Sequence, residues 1–230
     1  MKQEVRLEPP SLLERVIRLV YPAKCMICDS LLREEASLML CESCHTLLPR
    51  CEKGFVKMPS MPYIHQLFAA YYYDEGLDSA IHAMKFNHQP RLSETFGYLL
   101  YEEMDKVSYL PDWDMILPVP MHRRKKRERG YNQSELMALS LSRHLKIPVY
   151  SDLLIKTRYT RPQSSLKREE RLMNLEGAFD VVNDTAIAGK NILLIDDVST
   201  TGTTLNLCAK ILYEKGAAFV YAAVIAIVEK

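Results

Sequence analysis

The 230-residue chain has no apolar run approaching the roughly 20 residues that span a bilayer. The longest, residues 217–228, is rich in β-branched side chains, follows Gly216 and reads as a buried strand. The first residues carry acids where a signal peptide would carry an apolar core, so a cytoplasmic location is expected. Net charge is almost absent, with 30 Lys and Arg against 29 Asp and Glu. At 48% hydrophobic and 26% charged residues, the composition excludes a disordered, collagen-like or supercharged chain. Internal repeats and low-complexity tracts are missing. So are the G-x-x-x-x-G-K of a Walker loop and the G-x-G-x-x-G of a dinucleotide fold. What remains is a globular protein of one large domain, or one domain with a small module.

The neutral total hides a segregation. Residues 121–171 hold 14 basic and 5 acidic side chains, a local net of +9 against −8 elsewhere. A solvated basic face would explain this. The bases fall in two loop-like blocks rather than along one helix, however, which favours a polyanion pocket or surface.

Four of the six cysteines form two C-x-x-C pairs, Cys25 with Cys28 and Cys41 with Cys44, twelve residues apart. Two such knuckles close a tetrahedral four-sulfur site, and structural zinc is the expected occupant. Disulfides are disfavoured in a reducing compartment. His45 and Cys51 are assigned to packing or surface, and Cys208 to a buried helix position. A module of about 30 residues cannot bury enough apolar surface to fold alone, which is why metal would matter.

Ser11 and Glu14 form an S-x-x-E capping box ahead of a helix over residues 11–20, whose apolar stripe is expected to dock on the rest of the protein. Prolines punctuate residues 57–62, the best boundary. It separates an N-terminal helix and ribbon (residues 1–57) from a larger domain (residues 63–230). In the latter, strands are expected at residues 66–73, 115–119, 191–195 and 219–228, with short β segments near 149–155 and 179–182. Helices are expected from Leu77, at 92–105, at 131–146 with Asn132 and Glu135 in capping-box positions, and at 203–215. This alternation predicts an α/β fold, a largely parallel sheet flanked by helices.

Residues 192–204 are the most informative. Four apolar residues make a buried strand, Asp196 and Asp197 stand where it ends, and Thr200, Thr201, Gly202, Thr203 and Thr204 turn into a helix. Backbone N–H groups at a helix N-terminus, with hydroxyls beside them, cradle a monophosphate. The acids can accept hydrogen bonds from vicinal hydroxyls, so a sugar phosphate is implied. A phosphoreceiver domain needs further functional strands, and only one follows. A fortuitous turn with surface acids is the structural alternative.

This stretch resembles the phosphoribosyl-pyrophosphate (PRPP) motif of type I phosphoribosyltransferases. Residues 117–120 (L-P-V-P), 129–133 (R-G-Y-N-Q), 160–163 (T-R-P-Q), 171–174 (R-L-M-N) and 177–179 (G-A-F), with the four-Cys ribbon, narrow the resemblance to the ComF family of competence proteins. It spans residues 25–227. It implies a type I phosphoribosyltransferase-like core of five strands, PRPP binding with Mg²⁺, and a role in DNA uptake alongside a helicase and DNA-processing proteins. In that fold the segment after the strand at 115–119 handles pyrophosphate. Arg123, Arg124, Arg127, Arg129 and Gly130 are therefore its candidates, with Arg129 and Gly130 in closest contact. Residues 156–171 resemble the flap that closes over the site and excludes water, with Arg158, Arg161, Lys167, Arg168 and Arg171 as donors. Thr200 stands where some purine-handling members carry an acid. With no recognisable hood domain, that counts against simple purine salvage and leaves the acceptor open.

The competing function is a binding module without turnover. Here the ribbon (through Lys24, Arg33 and Arg50) and the basic segment would hold single-stranded DNA. Tyr71, Tyr72, Tyr73 or Tyr131 would serve as stacking faces, and the PRPP site would be regulatory or vestigial. An adaptor whose ribbon docks a helicase is a third option.

Overall fold

The computed structural model describes residues 10–86, 89–160 and 173–228. The strands are β1 (Leu67–Tyr72), β2 (Met115–Pro118), β3 (Leu154–Lys156), β4 (Phe179–Val181), β5 (Asn191–Ser199) and β6 (Phe219–Ile227). The helices are α1 (Leu12–Val20), α2 (Glu42–Thr46), α3 (Glu75–Phe86), α4 (Pro90–Met104), α5 (Arg123–Arg129), α6 (Gln133–Leu145), α7 (Asp184–Ile187) and α8 (Thr203–Glu214).

Unbroken runs of Val, Ile, Leu and Ala in β5 and β6 suit strands covered on both faces, and they form the centre of a parallel sheet of order β1-β6-β5-β2. On one face Leu193 and Ile195 pack with side chains of α3, α4 and α6. On the other, Ile192 and Leu194 pack with α8 and the antiparallel β3–β4 pair. Among the described residues four strands pair in this sheet where five were expected. Beside β2 the fifth position holds a single parallel bridge, Ile116 to Val149. Pro148 has no N–H to extend that ladder.

The β1 edge is closed from the N-terminal side. Residues 50–56 run antiparallel to it through Arg50–Tyr71 and Val56–Leu67 bridges, and the Cys51 N–H donates to the Ala70 carbonyl (2.9 Å). Cys25, Leu40 and Leu48 of the cysteine-rich segment share a core with Phe68, Tyr71 and Phe96. The small module is therefore built onto the sheet. An exposed edge is thereby covered, and the module gains the apolar partners it lacks alone.

Two local expectations are corrected. The α1 capping box is present, but the helix docks by its charged side and leaves its apolar stripe in solvent. Arg18 is buried, donating to the Glu34 and Ala36 carbonyls (2.9 and 2.8 Å). At α6, Asn132 caps through the Ser134 N–H, while Glu135 turns away from the cap to pair with Lys126 (2.6 Å).

α4 and α6 meet at Gly97, where a Cβ would lie 2.5 Å from the Met137 carbonyl oxygen and 2.6 Å from Ser140 Cβ. Gly97→Ala should therefore lower stability by about 1–3 kcal/mol, measured by denaturant unfolding, despite its better helix propensity. A stabilised variant would mean that the two helices do not approach this closely.

Candidate functional site

The site follows from unequal pairing along β5. Its ladder with β6 continues to Ser199, opposite Ile227, but its ladder with β2 ends at Ile195, opposite Pro118. Beyond that point the β2 side opens as a crevice at the carboxyl ends of the strands, where open α/β sheets take ligands.

Asp196 and Asp197 do not stand together at an exposed strand end, as expected. They lie within β5, and adjacent strand positions project to opposite faces. Asp197 is buried at 5% exposure. Its Oδ2 accepts from Gln133 Nε2 (3.0 Å) and pairs with Lys85 Nζ (3.0 Å), and its Oδ1 takes the Val198 N–H (2.7 Å). Asp196 keeps a sliver of exposure into the crevice although its carboxyl is ringed by protein. Its Oδ1 accepts from Ser134 Oγ (3.0 Å) and from the Asp197 N–H (2.9 Å).

Asp196 lines two adjoining cavities. One is the turn itself, with Ser199, Thr200, Thr201, Gly202, Thr203, Thr204 and Leu205 around it. Gly202 has φ +71° and opens α8 with no side-chain cap, so the first N–H groups of a twelve-residue helix face this cavity. Thr201 and Thr203 join hydroxyl to hydroxyl at 2.8 Å. The other cavity, of about 130 Å³, is lined by His122, Lys125, Gln133, Ser134, Lys156 and Tyr159 among others.

The first basic block is helical, correcting the loop expectation, and the helix divides its charges. His122 caps it by accepting the Arg124 N–H, and Gly130, at φ +88°, ends it in the left-handed conformation. Lys125 and Arg129, one turn apart, face inward, while Arg123, Arg124 and Arg127 are exposed. Arg129 is buried and donates to Gln133 Oε1 (2.6 Å); neither it nor Gly130 lines the cavity, and Lys125 does. Every residue of the 129–133 motif has a structural task. The Tyr131 hydroxyl donates to the Met84 carbonyl (2.5 Å), Asn132 Nδ2 to the Val119 carbonyl (3.1 Å), and Gln133 joins Arg129 to Asp197.

Sequence reasoning missed Lys85, at the end of a helix distant in the chain, and Lys156, the last residue of β3. Burial, with the Arg129 and Lys85 charges, lowers the Lys125 ammonium, and burial lowers Lys156 to about 8. Both lysines therefore sit where an anion would be welcome. Arg158 does not point at the cavity. It donates to the Asn174 and Glu176 carbonyls (3.1 and 2.7 Å), tying the two ends of the proposed flap together. Arg161, Lys167, Arg168 and Arg171 lie outside the described residues.

The cysteine pairs also converge. Their four sulfurs lie within 4.8 Å of one another, with Cys28 and Cys41 at 3.7 Å. Tetrahedral coordination at about 2.3 Å per sulfur requires edges of roughly 3.8 Å. The Cys41 N–H points at Cys25 Sγ (3.4 Å) and the Cys44 N–H at Cys41 Sγ (3.5 Å), as knuckle amides do for thiolates. The four could hold a metal ion. Of the other candidates, His45 bonds Glu102 (2.7 Å), and Cys51 and Cys208 are buried. Arg50 is engaged with Glu103 and two carbonyls, and Tyr71 is buried, so neither is available to DNA.

The family model "Phosphoribosyl transferase domain" matches residues 132–229, which begin at the α6 cap and end past β6. The fold is thus that of the phosphoribosyltransferase class. Competence protein ComFC of Bacillus subtilis is 33% identical over 77% of this chain and 70% of its own length. DNA utilization protein YhgH of Escherichia coli K12 is 31% identical over 85% and 86%. Competence protein F of Haemophilus influenzae is 34% identical over 63% of this chain, which spans 65% of that relative. Among solved structures, an adenine phosphoribosyltransferase from Leishmania donovani aligns with a TM-score of 0.37 at 16% identity, over 63% of this chain and 68% of that one. The chain belongs to the ComF family, whose members these competence and DNA utilization proteins are.

Burial, and next the Asp197 charge, push the Asp196 carboxyl up to about 7. The native state then retains a proton that the unfolded chain releases near pH 4, so this group costs stability as pH rises from about 4 to 7. In ligand-free protein, Asp196→Asn should be neutral near pH 4 and stabilising by about 1–2 kcal/mol at pH 8. Urea melts at the two pH values check this, and an equal effect at both would contradict it.

Proposed function

We propose that the crevice binds PRPP together with Mg²⁺, and that the protein acts in DNA uptake or utilisation, as the names of its relatives suggest. One observation carries this reading: Asp196 is shared by a phosphate-sized turn at a helix N-terminus and a cavity lined by two lysines. The 5-phosphate would sit on the α8 N–H groups and the threonine hydroxyls, and ribose hydroxyls on Asp196. The pyrophosphate, with its Mg²⁺, would lie between Lys125 and Lys156. As it leaves C1 those ammonium groups would meet the growing negative charge, while Asp197 stays fixed by Lys85 and Gln133. Thr200 cannot take up a proton at neutral pH, so an acceptor would have to attack C1 without a general base at that position.

The inward lysines give the test. Lys125→Met and Lys156→Met should each weaken Mg²⁺–PRPP binding by about tenfold or more, the worth of a charge-assisted contact, and leave ribose 5-phosphate affinity within about twofold. Calorimetry reads both. Equal losses for both ligands, or none, would sink the assignment of the pyrophosphate.

A second reading rests on the outer face of α5, where Arg123, Arg124 and Arg127 are exposed away from the cavity. Single-stranded DNA held there would leave PRPP binding untouched. In the same titrations Arg123→Ala with Arg127→Ala should reduce the salt slope of DNA binding by about 0.7 for each phosphate no longer neutralised.

For the cysteine cluster we propose zinc, a closed structural ion that ties the α2 knuckle to the chain before it. Elemental analysis of the full chain should find one zinc per protein, lost in Cys41→Ser. Full zinc content in that variant would exclude this ligand set.

A further inference from the structure

The apolar stripe of α1 is turned to solvent and held there. Leu12, Val16 and Leu19 form one row, and Leu13, Ile17 and Val20 a second. Each row steps by four and then three positions, the spacing of helix-pair seams. These six side chains are 49–80% exposed. The orientation is fixed from the other side: Glu14 pairs with Arg91 (2.7 Å), Arg15 with Glu35 (3.5 Å), and buried Arg18 holds two carbonyls. Beside the helix, Leu19, Pro22 and Leu31 line an open groove of about 510 Å³ that extends the same patch.

We propose that α1 is a self-association surface, on which a second copy of this chain lays its own α1 stripe antiparallel about a two-fold axis. At roughly 100 Å² per apolar side chain, two such faces with their flanking residues would bury about 1,200–1,400 Å², the lower end of specific interfaces. A single stripe facing water, at about 600 Å², stands at the upper end of the largest apolar patches on monomers. The rim carries both signs, with Arg15 partly exposed and Glu35 exposed, so a two-fold places opposite charges across the boundary as readily as like ones. An anionic membrane fits less well, because the helix arginines are engaged with the protein while Glu34 and Glu35 stand exposed nearby.

Sedimentation velocity of the full chain from about 1 to 100 µM should show a reversible monomer–dimer equilibrium in the micromolar range, on the order expected for so small an interface. Val16→Glu with Val20→Glu should abolish it. Both positions are exposed, so circular dichroism and metal content should not change. Val16→Cys should cross-link as a dimer under mild oxidation. A wild-type monomer at 100 µM would overturn the proposal, as would a dimer that persists in the double variant. So would a monomer that floats with 3:1 phosphatidylcholine–phosphatidylglycerol vesicles, which would assign the stripe to a lipid surface.

Discussion

Two carboxylates carried inward on a covered strand set the terms for everything around the crevice. An ionised acid away from water must be matched by charge and hydrogen bonds, or take up a proton. Asp197 is matched. An ammonium from α3, an amide from α6 and a backbone N–H fill its oxygens. Asp196 is matched only in part, by a hydroxyl and an N–H, and its raised titration point shows the deficit. The partners of Asp197 in turn fix their own elements. Lys85 must end α3 over the sheet, Tyr131 pins that end through the Met84 carbonyl, and Gln133 draws buried Arg129 into the same network. The short helix that presents Lys125 is therefore registered by the acid it faces.

The second coupling runs from the cysteine cluster to the phosphate-sized turn. Residues 50–56 close the β1 edge, and the chain then passes Met61 beneath Gly202, where any Cβ would overlap its sulfur. The Tyr63 N–H donates to Asn206 on the first turn of α8 (3.0 Å). A segment whose prolines mark it as a linker thus forms the wall of the turn. Gly202 is required twice: for its positive φ and for the sulfur below it. Disturbance at the knuckles has a short mechanical path to the N–H groups that open α8.

Much of this was legible in the sequence. The parallel sheet, the capped α1, the C-x-x-C pairs and the turn after β5 follow from patterns with a local cause: covered strands, caps, metal-ligand spacing and a glycine that must turn. What was not legible depends on facing. An acidic doublet cannot show that its members point to opposite sides of a sheet until the strand is known to run on past them. A stripe such as that of α1 shows that a helix is two-sided but not which side is turned inward. Here three charged residues on the other side found partners first. Lys85 was invisible for a different reason. It lies more than a hundred residues before the acid it neutralises, and nothing in its neighbourhood distinguishes it from a solvated lysine at a helix end.

Facing also changes the meaning of the basic segment. A local charge of +9 suggests one electropositive pocket, yet among the described residues its cations serve different tasks. Lys125 and Lys156 line the cavity, while Arg129 is consumed in holding Gln133. Arg158 staples the ends of a loop through backbone carbonyls. Arg123 and Arg127 face water. Lys125, Lys156 and Arg129 are desolvated, but only the two lysines line the cavity, and a cation shielded from water acts on an anion far more strongly than one screened by salt. The discriminating quantity is thus the number of cations that share low-dielectric surroundings with Asp196, and the count along the chain overstates it several-fold.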